Sequence, residues 1–369
     1  MRLSPSLLAL LAVTPALAEP KVLVDLPPVH SLVAQVMDGV GTPTLLLDRA
    51  TSGHDLSLRP SQAGAAQEAD LIFWVGPAMS PGLEKPFETL GENARIIALM
   101  EQPETLIIDS ANAEAHLHNG EEEHEAHDDH DHEDHAEHDH EAHDDHDHEA
   151  HDDHNHEDHA EHDHEAHDDH DHENHAEHNH EAHDDHEDHA EGAHDGHDHG
   201  PEDPHVWLDP VNAQAWLPLI AKALSEKDPE NAEAYSANAT RAAEQLAAQT
   251  TEIAATLAPY EGREYLATHR AFAYFESRFH LAPAHALSGV DGNAAGPRAM
   301  EEVRLAAEEG ITCLITEPDT SSATVATLTE GTALTAHGLD PLGRDIAPGP
   351  DHYSTLLQEI AATYAACLK

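Results

Sequence analysis

The chain of 369 residues is poor in several residue types, and each shortage excludes a class of function. It has 16 lysines and arginines against 74 acidic residues, for a formal net charge of -58. Nucleic acid and anionic membrane surfaces are therefore excluded as partners, because neither supplies counter-charge to an acidic protein. Beyond the N-terminal segment, no run approaches the roughly 20 apolar residues that span a bilayer. We expect a mature protein without a membrane span, and a multivalent cation as its partner.

The N-terminal segment, residues 1–18, reads MRLSPSLLALLAVTPALA. It has one basic residue, Arg2, then an apolar run, and it ends in Ala16, Leu17 and Ala18. This order is typical of a cleaved secretory signal, and the apolar run is too short to span a membrane. We therefore expect the protein to be exported to the periplasm.

Most of the negative charge lies in a His-rich insertion, residues 112–202. Between His116 and His199 it holds 36 acidic and 30 histidine residues and no lysine or arginine, in repeats of 16 residues. So few apolar residues and so much charge predict a disordered segment. Neutral imidazole is the commonest metal ligand, so the insertion is a candidate auxiliary metal site. Its first candidate ligands are His124, His127, His130 and His132.

Short apolar runs alternate with segments of helical length on both sides of the insertion. This alternation predicts an α/β fold with two lobes, each a small parallel sheet flanked by helices. The predicted strands are 21–26, 42–47, 71–75, 94–99, 264–268, 282–287, 311–316 and 333–339.

One long helix is predicted to join the lobes. Asp228 suits the N-cap, Pro229 the first turn and Pro259 the stop. The predicted parts are the first lobe (19–111), its return segment after the insertion (203–227), the linker helix (228–258) and the second lobe (259–369).

Ligands of open α/β sheets bind beyond the carboxyl ends of the strands. His54 and His269 follow predicted strands there, as does Asp340, and His205 follows the insertion. The alternative for each of these residues is that it binds no metal and is a helix cap, a turn residue or a solvated side chain. Together, three nitrogens and one oxygen suit tetrahedral Zn²⁺. Five further histidines lack this placement and are interpreted as structural: His30, His280, His285, His337 and His352.

The chain has two cysteines, Cys313 in an apolar run and Cys367 near the C-terminus. In an exported protein a disulfide between them is favoured over two free thiols. Such a bond would fasten the last helix to the second sheet.

Five motifs together carry a family resemblance: GHDLSLRPS, DPHVWLDP, THRAFAYFE, ITCLITEP and LDPLG. From about Val22 to Leu368 the chain resembles the zinc-binding periplasmic component of high-affinity zinc ABC importers, the ZnuA type of metal-specific solute-binding protein. The resemblance implies metal ligands at the histidines of the first three motifs, and a disulfide between the two cysteines. The last motif holds a ligand in manganese-binding relatives, whereas zinc-binding members use a glutamate beside the first histidine, or water. The implied ligands are His54, His205, His269 and, as the uncertain fourth, Asp340.

Three features depart from the family pattern. Gly53 stands where that glutamate would be, which favours Asp340, a water or a histidine of the insertion as fourth ligand. Arg270 replaces an acidic residue, which weakens the case for a carboxylate partner beside His269. The insertion is also unusually long. A histidine at position 269 favours zinc over manganese.

The sequence thus predicts a monomeric binding protein that takes up Zn²⁺ between its lobes. By the resemblance it delivers the ion to an ABC permease in the inner membrane, driven by a cytoplasmic ATPase. One rival is a zinc hydrolase, for which Asp55 or Glu317 would be the nearest general base. A second rival is a storage protein or chaperone in which the insertion binds the metal and the lobes are a scaffold.

Overall fold

A computed structural model of the chain describes residues 19–47, 52–54, 56–108, 202–290 and 296–369. All of them belong to one compact unit. The predicted secretory signal lies outside the described residues, as does the insertion apart from Glu202. Within the described ranges, no helix is long and apolar enough to cross a membrane.

The first lobe is built on one parallel sheet. Its strands are β1 (Val22–Val24), β2 (Thr44–Leu45), β3 (Leu71–Trp74) and β4 (Arg95–Ala98), and its helices are α1 (Pro27–Val36), α2 (Pro60–Glu68), α3 (Pro81–Leu90) and α4 (Pro210–Lys227). The strand order is β2-β1-β3-β4. β1 and β3 are buried along their whole length, which is why they read as unbroken apolar runs. All four helices begin at proline, whose fixed φ suits the first helical position.

The linker helix is α5 (Ala232–Leu257), and short 3-10 turns flank it at Pro229–Asn231 and Ala258–Tyr260. Its α-helical part begins three residues after Pro229, the predicted first position, because Pro229–Asn231 forms a 3-10 turn that the Asp228 side chain does not cap. That carboxylate instead accepts hydrogen bonds from the Asn231 amide and the Tyr235 hydroxyl. With 26 residues, α5 is about 39 Å long and packs against α1 of the first lobe.

The second lobe repeats the plan of the first. Its strands are β5 (Leu266–Ala267), β6 (His285–Ala286), β7 (Cys313–Thr316) and β8 (Thr335–Gly338), and its helices are α6 (Ala273–Arg278), α7 (Pro297–Glu308), α8 (Ser322–Thr329) and α9 (His352–Cys367). The order is β6-β5-β7-β8, again all parallel. The linker α5 also packs against α9, so it runs along both lobes. The predicted fold class is therefore confirmed.

One continuous hydrophobic core includes residues of both lobes and of α5. Trp207 and Trp216 are fully buried in this core. The Trp207 indole N–H donates to the Pro341 carbonyl at 2.9 Å, and its own carbonyl accepts from the Tyr353 hydroxyl at 2.6 Å. A shared core limits how far the lobes can tilt against each other.

The disulfide joins Cys313, at the start of β7, to Cys367, at the end of α9. Their Cα atoms are 5.1 Å apart. The prediction of a bond that fastens the last helix to the second sheet is confirmed.

Candidate metal centre

Three imidazoles that are far apart in sequence meet in the structure. His54, His205 and His269, which we call the histidine triad, each offer a ligand atom within 4.8 Å of the others. Their ring centroids are 5.1 to 5.8 Å apart. Within the part of the chain that the structure describes, it is the one group of three or more His, Cys, Asp or Glu side chains placed so closely. The structure thus brings together the three histidines selected from the sequence.

His54 lies in the loop between β2 and α2 and is half-buried. The neighbouring Gly53 has little room for a side chain, because a Cβ there would lie 2.3 Å from Cε of Met79. Its carbonyl accepts a hydrogen bond from the Ser80 hydroxyl at 2.9 Å. Cε of Met79 is the end of a flexible side chain, so a larger residue at position 53 would require the Met79 side chain to move.

His205 is 1% exposed and is held by a carboxylate two residues earlier in the chain. Oδ1 of Asp203 accepts from the His205 backbone N–H at 2.9 Å and from its Nδ1 at 2.8 Å. With Asp203 ionised, Nδ1 donates this hydrogen bond and Nε2 keeps a lone pair for a metal. Burial, together with the charge of protonated His269, lowers the pKa of His205 well below its ordinary value. The imidazole is thus kept in the neutral form that coordinates metals.

His269 follows β5 and pairs with Glu317, which follows the adjacent strand β7. Its Nδ1 lies 2.9 Å from Oε1 of Glu317, while its Nε2 lies 3.3 Å from the Val290 carbonyl oxygen. Burial disfavours protonation of His269, but the hydrogen bond and negative charge of Glu317 outweigh it, so the pKa of His269 is raised. A carboxylate on Nδ1 again leaves Nε2 as the nitrogen for a metal, which would displace the Nε2 proton and its contact with the Val290 carbonyl.

The carboxylate partners were not selected from the sequence as partners of the triad. Asp203 was overlooked, although it precedes His205 by two residues, and Glu317 was considered only as a hydrolase base. The expectation that Arg270 weakens the case for a carboxylate beside His269 is wrong. The carboxylate comes from the end of β7 instead, a placement that parallel strand order could have indicated.

Asp340 is engaged by its own loop. Its Oδ2 accepts from the Arg344 backbone N–H at 2.7 Å and from the guanidinium Nε at 3.0 Å, and Oδ1 accepts from the Leu342 N–H at 3.1 Å. It is not part of the group formed by the triad. A ligand role for Asp340 therefore stays a prediction, and the candidate ligands of the insertion lie outside the described residues.

Two of the five histidines interpreted as structural are buried and bonded to backbone carbonyls. Nε2 of His30 lies 3.1 Å from the Pro43 oxygen, and Nε2 of His352 lies 2.9 Å from the Leu342 oxygen. None of the five belongs to the group of ligand atoms, the others being His280, His285 and His337.

The fold and the triad define the class of protein. Two α/β lobes with parallel sheets share a long helix, and imidazoles from both lobes form a nitrogen-rich candidate metal centre. The family model for ZnuA, the periplasmic component A of the zinc-uptake complex, matches residues 22–367. The chain belongs to this family.

Curated relatives and solved structures agree with that membership. The high-affinity zinc uptake system protein ZnuA of Paracoccus denitrificans (strain Pd 1222) is 39% identical over 360 residues, which cover 97% of this chain and 94% of that protein. A crystal structure of ZnuA has a TM-score of 0.64 at 17% identity, covering 95% of this chain and 100% of that one. A zinc-bound ZnuA deletion mutant (138-173) has a TM-score of 0.63 at 16% identity, covering 95% and 98%. At these identities the structural likeness shows the fold alone.

Proposed function

We propose that the triad captures Zn²⁺ in the periplasm and that the protein delivers the ion to an ABC permease in the inner membrane, powered by a cytoplasmic ATPase. The observation that carries this proposal is the convergence of three imidazoles, two of which are held on Nδ1 by carboxylates. Nitrogen donors in such a set suit Zn²⁺ better than they suit Mg²⁺, Ca²⁺ or Mn²⁺. The names of the curated relatives support the same ion.

The fourth coordination position is left to a water molecule or to Asp340. The carboxylate oxygens of Asp340 lie outside the group of ligand atoms that the triad forms, and hydrogen bonds from Arg344 and Leu342 hold them in their loop, whereas a water needs no movement of the protein. We therefore favour water as the fourth ligand.

Release follows from the origin of the ligands in two lobes. His54 and His205 belong to the first lobe, and His269 belongs to the second. A slight separation of the lobes against the permease would withdraw His269 and weaken the site. No covalent or redox step is needed, and a monomer suffices.

The insertion is proposed to recruit or buffer zinc for the triad. The described residues on its two sides lie close together, because the Asp203 N–H donates to the Ile108 carbonyl at 3.0 Å. Asp203 also holds His205. Ligands within the insertion would therefore raise the zinc concentration near the triad, though ordering entropy makes each of them weaker than a preformed site.

The binding role is favoured over hydrolysis, because a hydrolase needs a free general base beside the metal. Glu317, one of the two candidates, already pairs with His269. The other candidate, Asp55, lies outside the described residues.

Zinc uptake by cells tests the proposal against storage. In a strain that carries the cognate permease but lacks this protein, the mature chain should restore ⁶⁵Zn uptake at limiting zinc. A chain with His205→Ala should not, although its insertion is intact. Full uptake by the His205→Ala chain would contradict delivery from the triad and favour the insertion as the working part.

The affinity of the triad for zinc should depend on pH through His269. Because the pKa of His269 is raised, this imidazole binds a proton at a higher pH than usual, and zinc must displace that proton. As the pH is lowered, zinc affinity should therefore begin to fall before the pH reaches about 6.5, the ordinary pKa of histidine. Chelator competition between pH 5 and 8 measures this onset, and Glu317→Gln should move it to lower pH. An unmoved onset would show that Glu317 does not set the proton affinity of His269.

A further inference from the structure

We propose that Asp203 is a positioning residue of the triad. It fixes the His205 imidazole with Nε2 available to the metal beside His54 and His269, and the Tyr274 hydroxyl holds Asp203 in place. This inference rests on the proposed function, because it takes His205 to be a zinc ligand.

The hydrogen bonds of the Asp203 side chain are committed to His205. One oxygen, Oδ1, accepts from both the backbone N–H and the ring Nδ1 of His205, which fixes the ring relative to its own main chain. The other oxygen, Oδ2, has no hydrogen-bond partner among the described residues. Both side chains are 1% exposed, so bulk water cannot compete for the bond.

Three hydrogen bonds among Ile108, Tyr274 and Asp203 hold Asp203 in place. The Ile108 N–H donates to the Tyr274 hydroxyl at 3.0 Å, and that hydroxyl donates to the Asp203 carbonyl at 2.9 Å. The Asp203 N–H donates in turn to the Ile108 carbonyl at 3.0 Å. Ile108 and Asp203 flank the insertion, whereas Tyr274 belongs to α6 of the second lobe. A side chain of the second lobe thus helps to hold His205, the proposed ligand from the first lobe, in place.

This anchor has a consequence for the insertion. The orientation of His205 is set by residues on both sides of the insertion and by Tyr274, none of which lies within it. The triad should therefore keep its geometry whatever the length of the insertion. Every core residue found in the described part of the chain lies outside the insertion, so a variant that lacks Asn112 to Glu202 retains all of them.

Asp203→Ala and Asp203→Asn test the positioning role in the mature chain and in the variant without the insertion. Loss of a hydrogen-bonding partner to a metal-bound histidine typically costs about 10–100-fold in metal affinity, and we expect this for Asp203→Ala. Asp203→Asn should cost less, because its amide oxygen can still accept from Nδ1. Asp228→Asn is the matched control, since Asp228 is also buried but bonds Asn231 and Tyr235.

The protonation of His205 in the metal-free protein is a readout that a merely structural role would not move. In the variant without the insertion, ¹⁵N NMR of the imidazoles should show His205 protonated on Nδ1. Asp203→Ala should shift it towards a mixture of the two neutral tautomers. Asp228→Asn should leave it unchanged.

Two matched tyrosine variants separate the anchor from general stability. Tyr274→Phe removes the hydroxyl that holds Asp203. Tyr353→Phe removes another buried hydroxyl, which donates to the carbonyl of Trp207 in the same return segment (203–227) as Asp203. Both should lower the unfolding temperature. We expect Tyr274→Phe alone to alter the His205 signals and to lower zinc affinity, by less than Asp203→Ala does.

The outcomes distinguish failure of this inference from failure of the proposed function. If folded Asp203→Ala and Asp203→Asn proteins keep both the parent zinc affinity and the Nδ1 protonation, the positioning role is wrong. If His205→Ala keeps the tight site, the proposed function itself is wrong. Should Asp203→Ala not fold, the nearly isosteric Asp203→Asn and Tyr274→Phe proteins decide the matter by the same two measurements.

Discussion

Replacing His205 with alanine should lower the affinity of the tight zinc site by more than roughly 100-fold. That value is the largest loss expected when only the hydrogen-bonding partner of a metal-bound histidine is removed. The variant loses one of three imidazoles, and it leaves the Asp203 carboxylate buried without the ring that it holds. A buried group without a partner adds a desolvation penalty to the lost metal bond. Chelator competition on the protein without the insertion measures the effect, and His54→Ala and His269→Ala should act in the same direction.

Two variants serve as controls for the loss of a ligand. His285→Ala removes a half-buried histidine that lies outside the triad, 3.7 Å from Glu264, and should leave zinc affinity unchanged. Asp340→Asn should have a small effect, because Asp340 bonds Arg344 and Leu342 within its loop. An effect of Asp340→Asn as large as that of His205→Ala would instead make Asp340 the fourth ligand in place of water.

Removal of the disulfide should lower the free energy of unfolding by about 4 kcal/mol, as expected from the loop entropy of a cross-link across 54 residues. The bond joins the start of β7 to the end of α9, so its loss frees the last helix in the unfolded chain. The double variant Cys313→Ala/Cys367→Ala avoids a leftover thiol. Denaturant unfolding of the metal-free protein gives the difference in free energy of unfolding. A change below about 1 kcal/mol would show that the packing of α9 alone holds it in place.

The places of all eight strands could be predicted from the sequence, but their lengths could not. Residues 264–268 and 282–287 were predicted as strands, yet β5 and β6 each have two paired residues. Tyr265 and Leu287 flank the paired residues and are buried, and each makes one backbone hydrogen bond to the neighbouring strand. Burial determines the apolar pattern, whereas pairing depends on how far neighbouring strands overlap, and the sequence of one strand does not contain that information.

The triad could be predicted because its histidines follow strands or the insertion, positions that the chain order reveals. The groups that orient them could not be predicted in the same way. Glu317 reaches His269 across 48 residues of sequence, through the pairing of β5 with β7. For Asp340, the position could be predicted but the hydrogen-bonding partners could not. It occupies the expected place after β8, but a nearby arginine engages its carboxylate.

A carboxylate closes the carboxyl end of β1 in the first sheet. Asp25 directly follows β1, in the position that Thr268 occupies after β5. Its carboxylate accepts from the Leu26 N–H at 2.7 Å and from the Val75 N–H at 2.8 Å, and it is fully buried. It therefore closes the end of this strand, and the candidate ligand His54 comes from the loop after β2 instead.

A competitive Zn²⁺ titration against a chelator tests the central claim most directly. It compares the mature protein with the variant that lacks Asn112 to Glu202. If the triad is the functional site, the shortened protein keeps one tight site and loses only weaker ones. If the tight site disappears with the insertion, the triad is not the functional site, and the protein stores or chaperones zinc through its His-rich insertion.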